Sequence, residues 1–368
     1  MDTGLRVVIA GGGTGGHLYP GIAVARELLA RRPDATVTFA GTAKGIESRV
    51  MPREGFELDT IRSGGLKGKS IGDRIRGASL LPLSIADAWA VLSKRRPHLV
   101  IGVGGYSSGP IVLAAAMRGM ATMLLEQNAV PGLTNRLLAR VVRAAAVTYD
   151  STSAFFGEKA FVSGNPVRAE FVDIAAGSKS YAGDRPAPEV ELLIFGGSQG
   201  AHAINVAMVD AASVLAAIGG ALKITHQTGE RDAEMVKAGY AVAGLDAQVE
   251  PFLFDMGARL GRADLVVSRA GATTLAELTA AGKPSILVPL PTATDDHQRK
   301  NAEALASAGA AVVMLQKDAS GPALAKAIGG LVNDPAARAR MGAAARSLAR
   351  PDAAKAIVDR ALELVVSR

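Results

Sequence analysis

Two stretches of this 368-residue chain set a glycine turn beside groups able to handle a proton or an anion. The first, VVIAGGGTGGHLYPG at residues 7–21, reads as a short apolar strand, a run of glycines and then His17 at a helix start. Glycines at a strand end let backbone N–H groups close on an anion at a helix N-terminus. His17 beside such a turn can serve as a base or as a hydrogen-bond donor; it can equally be a helix-start histidine packed by its neighbours. The literal G-x-G-x-x-G at Gly11, Gly13 and Gly16 matches a dinucleotide fingerprint, which also demands an acid closing the second strand. Here the strand TVTFAG (36–41) runs into Thr42, Ala43 and Lys44, so the acid is missing and a nicotinamide or flavin site is disfavoured.

The second stretch, GVGGYSSGP at 102–110, again places bare backbone at a strand's end and adds the hydroxyls of Tyr106, Ser107 and Ser108. Glycine turns ending strands of one parallel sheet face the same edge. LLEQNAVPGLTN (124–135) brings Glu126, Gln127 and Asn128 to the end of the next strand. In the second half, FGGSQGAHAIN places Ser198 and Gln199 among glycines before a helix, a pattern suited to a diphosphate. SRAGATTLAEL starts a helix with Ala272, Thr273 and Thr274, and Glu277 one turn in can accept two hydrogen bonds from a ribose diol or simply serve the helix dipole. TDDHQRKNA (294–302) gathers Asp295, Asp296, His297 and Gln298, well placed for sugar hydroxyls; neither H-E-x-x-H nor D-x-D is present to suggest a metal.

Positioning these groups requires parallel β/α units, and the chain has the pattern for them. Short β-branched runs alternate with Ala/Leu-rich segments throughout. Strands are expected near 5–10, 35–40, 57–61, 98–103, 121–125 and 143–148, and again near 190–195, 221–226, 247–250, 264–267, 285–289 and 311–315. The first helix is expected over 20–31, a long one over 72–95, and a surface loop over 175–189. Two doubly wound units joined near Gly164–Pro166 are the simplest arrangement, with the cleft between them as the default ligand site. Length alone favours two domains, and an apolar share of 49% supplies core for both. The formal charge of +7 favours anionic partners without demanding nucleic acid, because no Lys/Arg tract is interleaved with aromatics. Zero cysteines exclude disulfides, thiolate catalysis and Cys-bound zinc. The opening residues lack a signal-peptide pattern, and no apolar run is long enough to span a bilayer.

GGTGGH, GGYSSGP, EQN, GNPVR, GGSQGA, SRAGATTLAEL and DDHQRKNA stand in this order between residues 7 and 302, an order that resembles the MurG family. That resemblance implies a GT-B fold, two Rossmann-like doubly wound parallel-sheet domains facing a central cleft. It divides the chain into an acceptor- and membrane-facing domain (1–164), a UDP-GlcNAc-binding domain (165–340) and a C-terminal helix (341–368) packing back on the first domain. The implied reaction moves N-acetylglucosamine from UDP-GlcNAc to the C4 hydroxyl of undecaprenyl-diphospho-N-acetylmuramoyl-pentapeptide (lipid I), giving lipid II with inversion. No cofactor is implied as required, and divalent-cation stimulation stays open. Residue by residue, Thr14, Gly15 and Gly16 would meet the donor and the acceptor diphosphate, Asn128 the N-acetylglucosamine, and Arg168 and Ser198, with Gln199 beside it, the donor diphosphate. Leu253 would bond uracil through its backbone, Ala272 to Thr274 would cradle a phosphate with Leu275 also in the substrate site, Glu277 would hold the ribose, and His297 and Gln298 the sugar. His17 is the first candidate for the base, Glu126 the second, with Tyr106 in support. Two departures from the family pattern stand out: Leu125 replaces a frequent histidine before Glu-Gln-Asn, and His297-Gln298 replaces paired glutamines.

A lipid-linked acceptor requires docking to a membrane. Residues 66–97 carry Lys67, Lys69, Arg74 and Arg76 near Leu80, Leu83 and Trp89, a basic rim around apolar groups suited to the anionic inner leaflet. Leu81, Ile85, Ala88 and Leu92 also fall at core-stripe spacing, which would bury Trp89. The implied location is the cytoplasmic face of the cell membrane, held peripherally, with other cell-wall or division proteins as further partners. Competing readings are another GT-B enzyme, such as a soluble-acceptor transferase or a UDP-GlcNAc 2-epimerase, and a non-catalytic sugar-nucleotide binder.

Overall fold

The computed structural model describes residues 4–64, 80–175, 189–197, 200–218 and 222–366. The chain divides into two compact units: Met1–Arg168 together with Asp352–Arg368, and Ala169–Pro351.

In the first unit seven parallel strands are ordered β3-β2-β1-β4-β5-β6-β7. They are β1 (Arg6–Gly11), β2 (Thr36–Gly41), β3 (Glu57–Thr60), β4 (Leu99–Gly104), β5 (Ala121–Glu126), β6 (Ala144–Val147) and β7 (Ala160–Val162). Every residue of β4 and β5 is buried, as expected of central parallel strands covered by helices on both faces. Strand β7 is an addition to the six strands expected from the sequence. It is three residues long, lies at the sheet's edge and has no fully buried residue, so it lacks the continuous apolar signal of the others.

One face of the sheet packs against the helices Gly15–Arg31 and Ala353–Val366, with Ile9, Ile101, Leu18, Leu28, Ile357 and Val358 in a common core. Arg31 pairs with Asp359 between those two helices. The first helix reaches back to Gly15, not Pro20, so Gly15, Gly16 and His17 form its opening turn. On the opposite face, Ala88, Leu92, Ile111 and Val112 pack with Val8, Val100 and Leu124.

The second unit is a six-stranded parallel sheet ordered β10-β9-β8-β11-β12-β13. Its strands are β8 (Val190–Phe195), β9 (Leu222–Gln227), β10 (Ala247–Glu250), β11 (Leu265–Ser268), β12 (Ser285–Leu287) and β13 (Ala311–Val313). The unit boundaries fall at 168/169 and 351/352, later than the 164/165 and 340/341 expected from the sequence. Pro335–Ser347 stays with the second unit, packed against Ala272–Ala280, and only the helix beyond Pro351 returns to the first.

Within Leu81–Arg95 the buried stripe is Ser84, Ala88, Val91 and Leu92. Leu81 is exposed, which corrects its expected place in the core, and Trp89 is 45% exposed with the Arg118 guanidinium 5.0 Å from its ring centre. Ser84 takes the core position because its hydroxyl donates to the Leu80 and Arg62 carbonyls, so it can be buried without an orphaned polar group. No helix among the described residues is long and apolar enough to cross a membrane.

Candidate functional site

In each unit the strand order reverses at one place, between β1 and β4 in the first and between β8 and β11 in the second. Ligands of open parallel sheets bind outside the carboxyl ends of the strands at such switch points. The glycine turns occupy these positions: GGTGGH follows β1, GGYSSGP follows β4, GGSQGA follows β8 and SRAGATT follows β11.

In the first unit the turns after β1 and β4 touch backbone to backbone. Gly12 N–H approaches the Gly104 carbonyl at 3.4 Å. The His17 ring lies directly over Gly104: a Cβ there would stand 2.7 Å from His17 Cδ2, and the backbone has φ +97°. Only glycine meets both demands. Thr14 is the N-cap by position, but its hydroxyl, instead of capping, lies 3.0 Å from His17 Nδ1 and orients the imidazole. The half-buried ring thus rests between Thr14 and Gly104 at the mouth of the switch point. Tyr106 is exposed on the turn after β4.

Glu126 ends β5 and is 3% exposed. Its Oε1 accepts from the Asn128 N–H and Nδ2, and its Oε2 from the Gly132 N–H and Asn135 Nδ2, at 2.8–3.2 Å. Burial pushes its pKa up while these donors oppose that shift. With both oxygens engaged, Glu126 ties down the loop that carries Asn128; these contacts, not a proton transfer, account for its placement. Gln127 is buried too and donates through Nε2 to the Val103 carbonyl, linking the ends of β4 and β5. Leu125 is packed in the core, so the position of the family's histidine contributes no polar group here. Arg168, the last residue before the first break between units, places its guanidinium 5.6 Å from the Tyr19 ring centre.

In the second unit, Gln227 Nε2 donates to the Gly197 carbonyl and ties the end of β9 to the glycine turn. Ser198 and Gln199 lie outside the described residues. The helix Ala272–Ala280 opens with half-buried Ala272, Thr273 and Thr274, whose backbone groups lie at its N-terminal turn. Leu275 is buried, so its side chain belongs to the core and only its backbone could meet a ligand. Glu277 is also buried, one turn in, and Leu253 is buried, while its chain neighbours Phe252 and Phe254 are exposed and their rings meet edge to face at 4.9 Å.

Gln298 Oε1 accepts from the N–H groups of Ala270 and Leu290, at 3.2 and 3.0 Å, which fixes the loops after β11 and β12 and turns its amide nitrogen the other way. His297 Nδ1 lies 2.6 Å from the Thr294 carbonyl and so carries the proton there. Asp295 and Asp296 both have φ +55°, strain of a kind that clusters at binding and catalytic sites.

Two residues outside the motifs help build these sites. Glu47 fills a buried position under the first glycine turn. Arg269 is buried in the second unit, where it donates to the Val288 carbonyl and to Gln316 Oε1. Neither is legible from spacing, because the Glu47–Gly13 bond and the Arg269 bonds join segments distant in sequence.

Two doubly wound units with anion-ready turns at both switch points define a glycosyltransferase of the GT-B class. The glycosyltransferase family 28 N-terminal domain matches residues 7–147, and the family 28 C-terminal domain matches residues 191–357. A UDP-N-acetylglucosamine–N-acetylmuramyl-(pentapeptide) pyrophosphoryl-undecaprenol N-acetylglucosamine transferase from Anaeromyxobacter sp. (strain K) is 47% identical over 365 residues, covering 99% of this chain and 94% of its own. A relative of the same name from Geobacter sulfurreducens is 46% identical and covers 99% of each chain. Among solved structures, Acinetobacter baumannii MurG aligns with TM-score 0.77 and 30% identity over 98% of this chain and 99% of its own. A UDP-N-acetylglucosamine 2-epimerase aligns with TM-score 0.70 at 13% identity, covering 100% of this chain and 98% of its own, a likeness of fold alone. The chain belongs to glycosyltransferase family 28 and, within it, to the MurG family.

Proposed function

We propose that the protein transfers N-acetylglucosamine from UDP-GlcNAc to the C4 hydroxyl of undecaprenyl-diphospho-N-acetylmuramoyl-pentapeptide, inverting the anomeric centre and releasing UDP. The observation that carries this is 47% identity along 99% of the chain to a relative bearing that activity in its name. In the second unit, the turn after β8 and the helix opening at Ala272 take the donor's diphosphate on backbone N–H groups. Glu277 accepts from the ribose hydroxyls, Leu253 offers its backbone to uracil, and the Gln298 amide nitrogen and His297 meet the sugar. In the first unit, His17 takes the proton of the acceptor hydroxyl as its oxygen attacks the anomeric carbon. The bond from that carbon to the diphosphate oxygen breaks, and UDP leaves with the electron pair. Thr14, Gly15, Gly16 and Arg168 face the diphosphate charges, Asn128 the sugar and Tyr106 the acceptor. Backbone dipoles and Arg168 neutralise the leaving group. A required cofactor forms no part of this reading, and divalent cations act at most as stimulants.

The acceptor's lipid places the enzyme peripherally on the cytoplasmic face of the membrane. The exposed Leu81, Leu83 and Trp89 support that docking, together with half-buried Leu80. The basic residues expected to flank them, Lys67, Lys69, Arg74 and Arg76, lie outside the described residues.

Radiolabelled transfer from UDP-GlcNAc to a short-chain lipid I analogue tests the activity, with UDP-GalNAc as control donor and an arm lacking acceptor. Product that requires both UDP-GlcNAc and the lipid is expected. Conversion of UDP-GlcNAc without acceptor would identify an epimerase instead.

A further inference from the structure

Glu47 opens the helix Glu47–Glu54 and is 0% exposed, yet no strand-end pattern marks it. Its Oε2 accepts from the Gly13 N–H at 2.9 Å, and its Oε1 accepts from the Thr42 N–H and hydroxyl, each at 2.8 Å. Three glycines form the cradle around it. A Cβ on Gly12 would stand 2.6 Å from the carboxyl carbon, one on Gly41 2.7 Å from Cγ, and one on Gly45 2.1 Å from Oε2. Burial works against ionisation, but the hydrogen bonds from Gly13 and Thr42 outweigh it and hold the carboxyl below its usual range. The acid missing from the end of β2 is therefore supplied from the next helix. Being sealed from solvent, it serves the glycine turn and cannot hold a ribose.

The turn fixed in this way is the one that sets His17. Gly13 leads directly into Thr14, whose hydroxyl orients the imidazole. Gly12 lies against Gly105, where a Cβ would stand 2.5 Å from the Gly12 carbonyl oxygen, and its N–H approaches Gly104, the floor beneath the ring. Both supports of His17 thus depend on the Gly12–Gly13 backbone. We infer that Glu47 is a positioning residue for sugar transfer, an internal anion that occupies the glycine turn and thereby fixes the His17 ring. The inference rests on the reading of His17 as a group at the reacting centre.

Glu47→Gln keeps the shape and removes an acceptor. Whichever way the amide lies, its NH2 faces a backbone N–H, that of Gly13 or that of Thr42. In the full-length protein, kcat is expected to fall about tenfold or more, as for a misplaced reacting group. KM for UDP-GlcNAc should stay unchanged, and the His17 ring resonance, followed by NMR across pH, should move. Glu54→Gln on the same helix should leave all three as they are. Unchanged kcat with an unmoved His17 resonance overturns the role of Glu47. Unchanged kcat with a displaced resonance overturns the reading of His17 on which it rests. A raised donor KM with a general loss of thermal stability also overturns it, because the defect is then a global one. If Glu47→Gln does not accumulate, Thr42→Val removes one of the three donors, and a smaller fall in kcat at constant donor KM is expected; no fall overturns the proposal.

Discussion

At the scale of single residues, the carboxylate at the end of β5 does a different job from the one its type suggests. Glu126 ends a strand among polar neighbours, which from sequence reads as a candidate base, yet four donors make it a loop anchor. Glu126→Gln should cost about 1–3 kcal/mol, the penalty of a buried donor left facing a donor. Chemical denaturation checks this, and turnover per folded molecule should change far less. Gly104 makes the complementary case. Gly104→Ala forces a Cβ into the His17 ring at a backbone angle alanine rarely adopts, so kcat should drop at least as far as for Glu47→Gln, while equilibrium UDP binding persists. His17, Asn128 and Gln298 could be singled out from the sequence because each falls in or beside a glycine- or polar-rich stretch. Glu47 was not, because its partner Gly13 is 34 residues away and only the adjacency of β1 and β2 brings them together.

At the scale of elements, parallel strands buried on both faces announced themselves as apolar runs, and the central ones appear where the pattern put them. The short edge strand β7 and the backward extension of the first helix through Pro20 carry no such signal. Helix Leu81–Arg95 was ambiguous, since its apolar residues exceed what one buried stripe can hold. Its surplus stays outside as Leu81, Leu83 and Trp89. Leu83→Glu should weaken co-sedimentation with phosphatidylglycerol vesicles without lowering the melting temperature, because the substituted side chain leaves no core contact behind. The inner end of the same helix is tied to β3 by Arg95 and Lys94, which both bond Asp59. Burial alone would raise the Asp59 pKa, but those two cations outweigh it and hold the group below its usual range. A depressed acid contributes stability above its unfolded pKa of about 3.9, and that contribution fades as pH falls through the lower folded value. Asp59→Asn should therefore lower stability at neutral pH and flatten the extreme acid limb of the stability curve.

At the scale of the whole molecule, each unit carries its own polar core device. In the second, His226 Nε2 donates to Asn205 Oδ1, because the Asn205 amide nitrogen is already committed to the Thr228 carbonyl and Asp232. His226 Nδ1 then accepts from the Tyr240 hydroxyl. Burial pushes the imidazole down to about 3. The unfolded chain takes up a proton below about pH 6.5 and the native unit does not, so stability should decline as pH falls from 6.5 toward 3. His226→Gln should remove most of that slope in urea titrations run at several pH values. UDP should slow amide exchange at 253 and 272–277 in the same unit, the readout for the donor assignment.

The chain leaves the first unit at Arg168 and re-enters it at Asp352, so the second unit is an insert in the sequence of the first. This has a consequence for synthesis on the ribosome. The part of the first sheet, over β4 and β5, that receives the helix of Ile357, Val358, Ala361 and Leu364 stays uncovered by it until those residues emerge, whereas the second unit is complete once Pro351 is out. The later-encoded unit can thus be native while the earlier one still waits, reversing the usual N-to-C order of domain maturation. Nascent chains arrested shortly after residue 351 should yield a protease-resistant 169–351 fragment from a labile first unit.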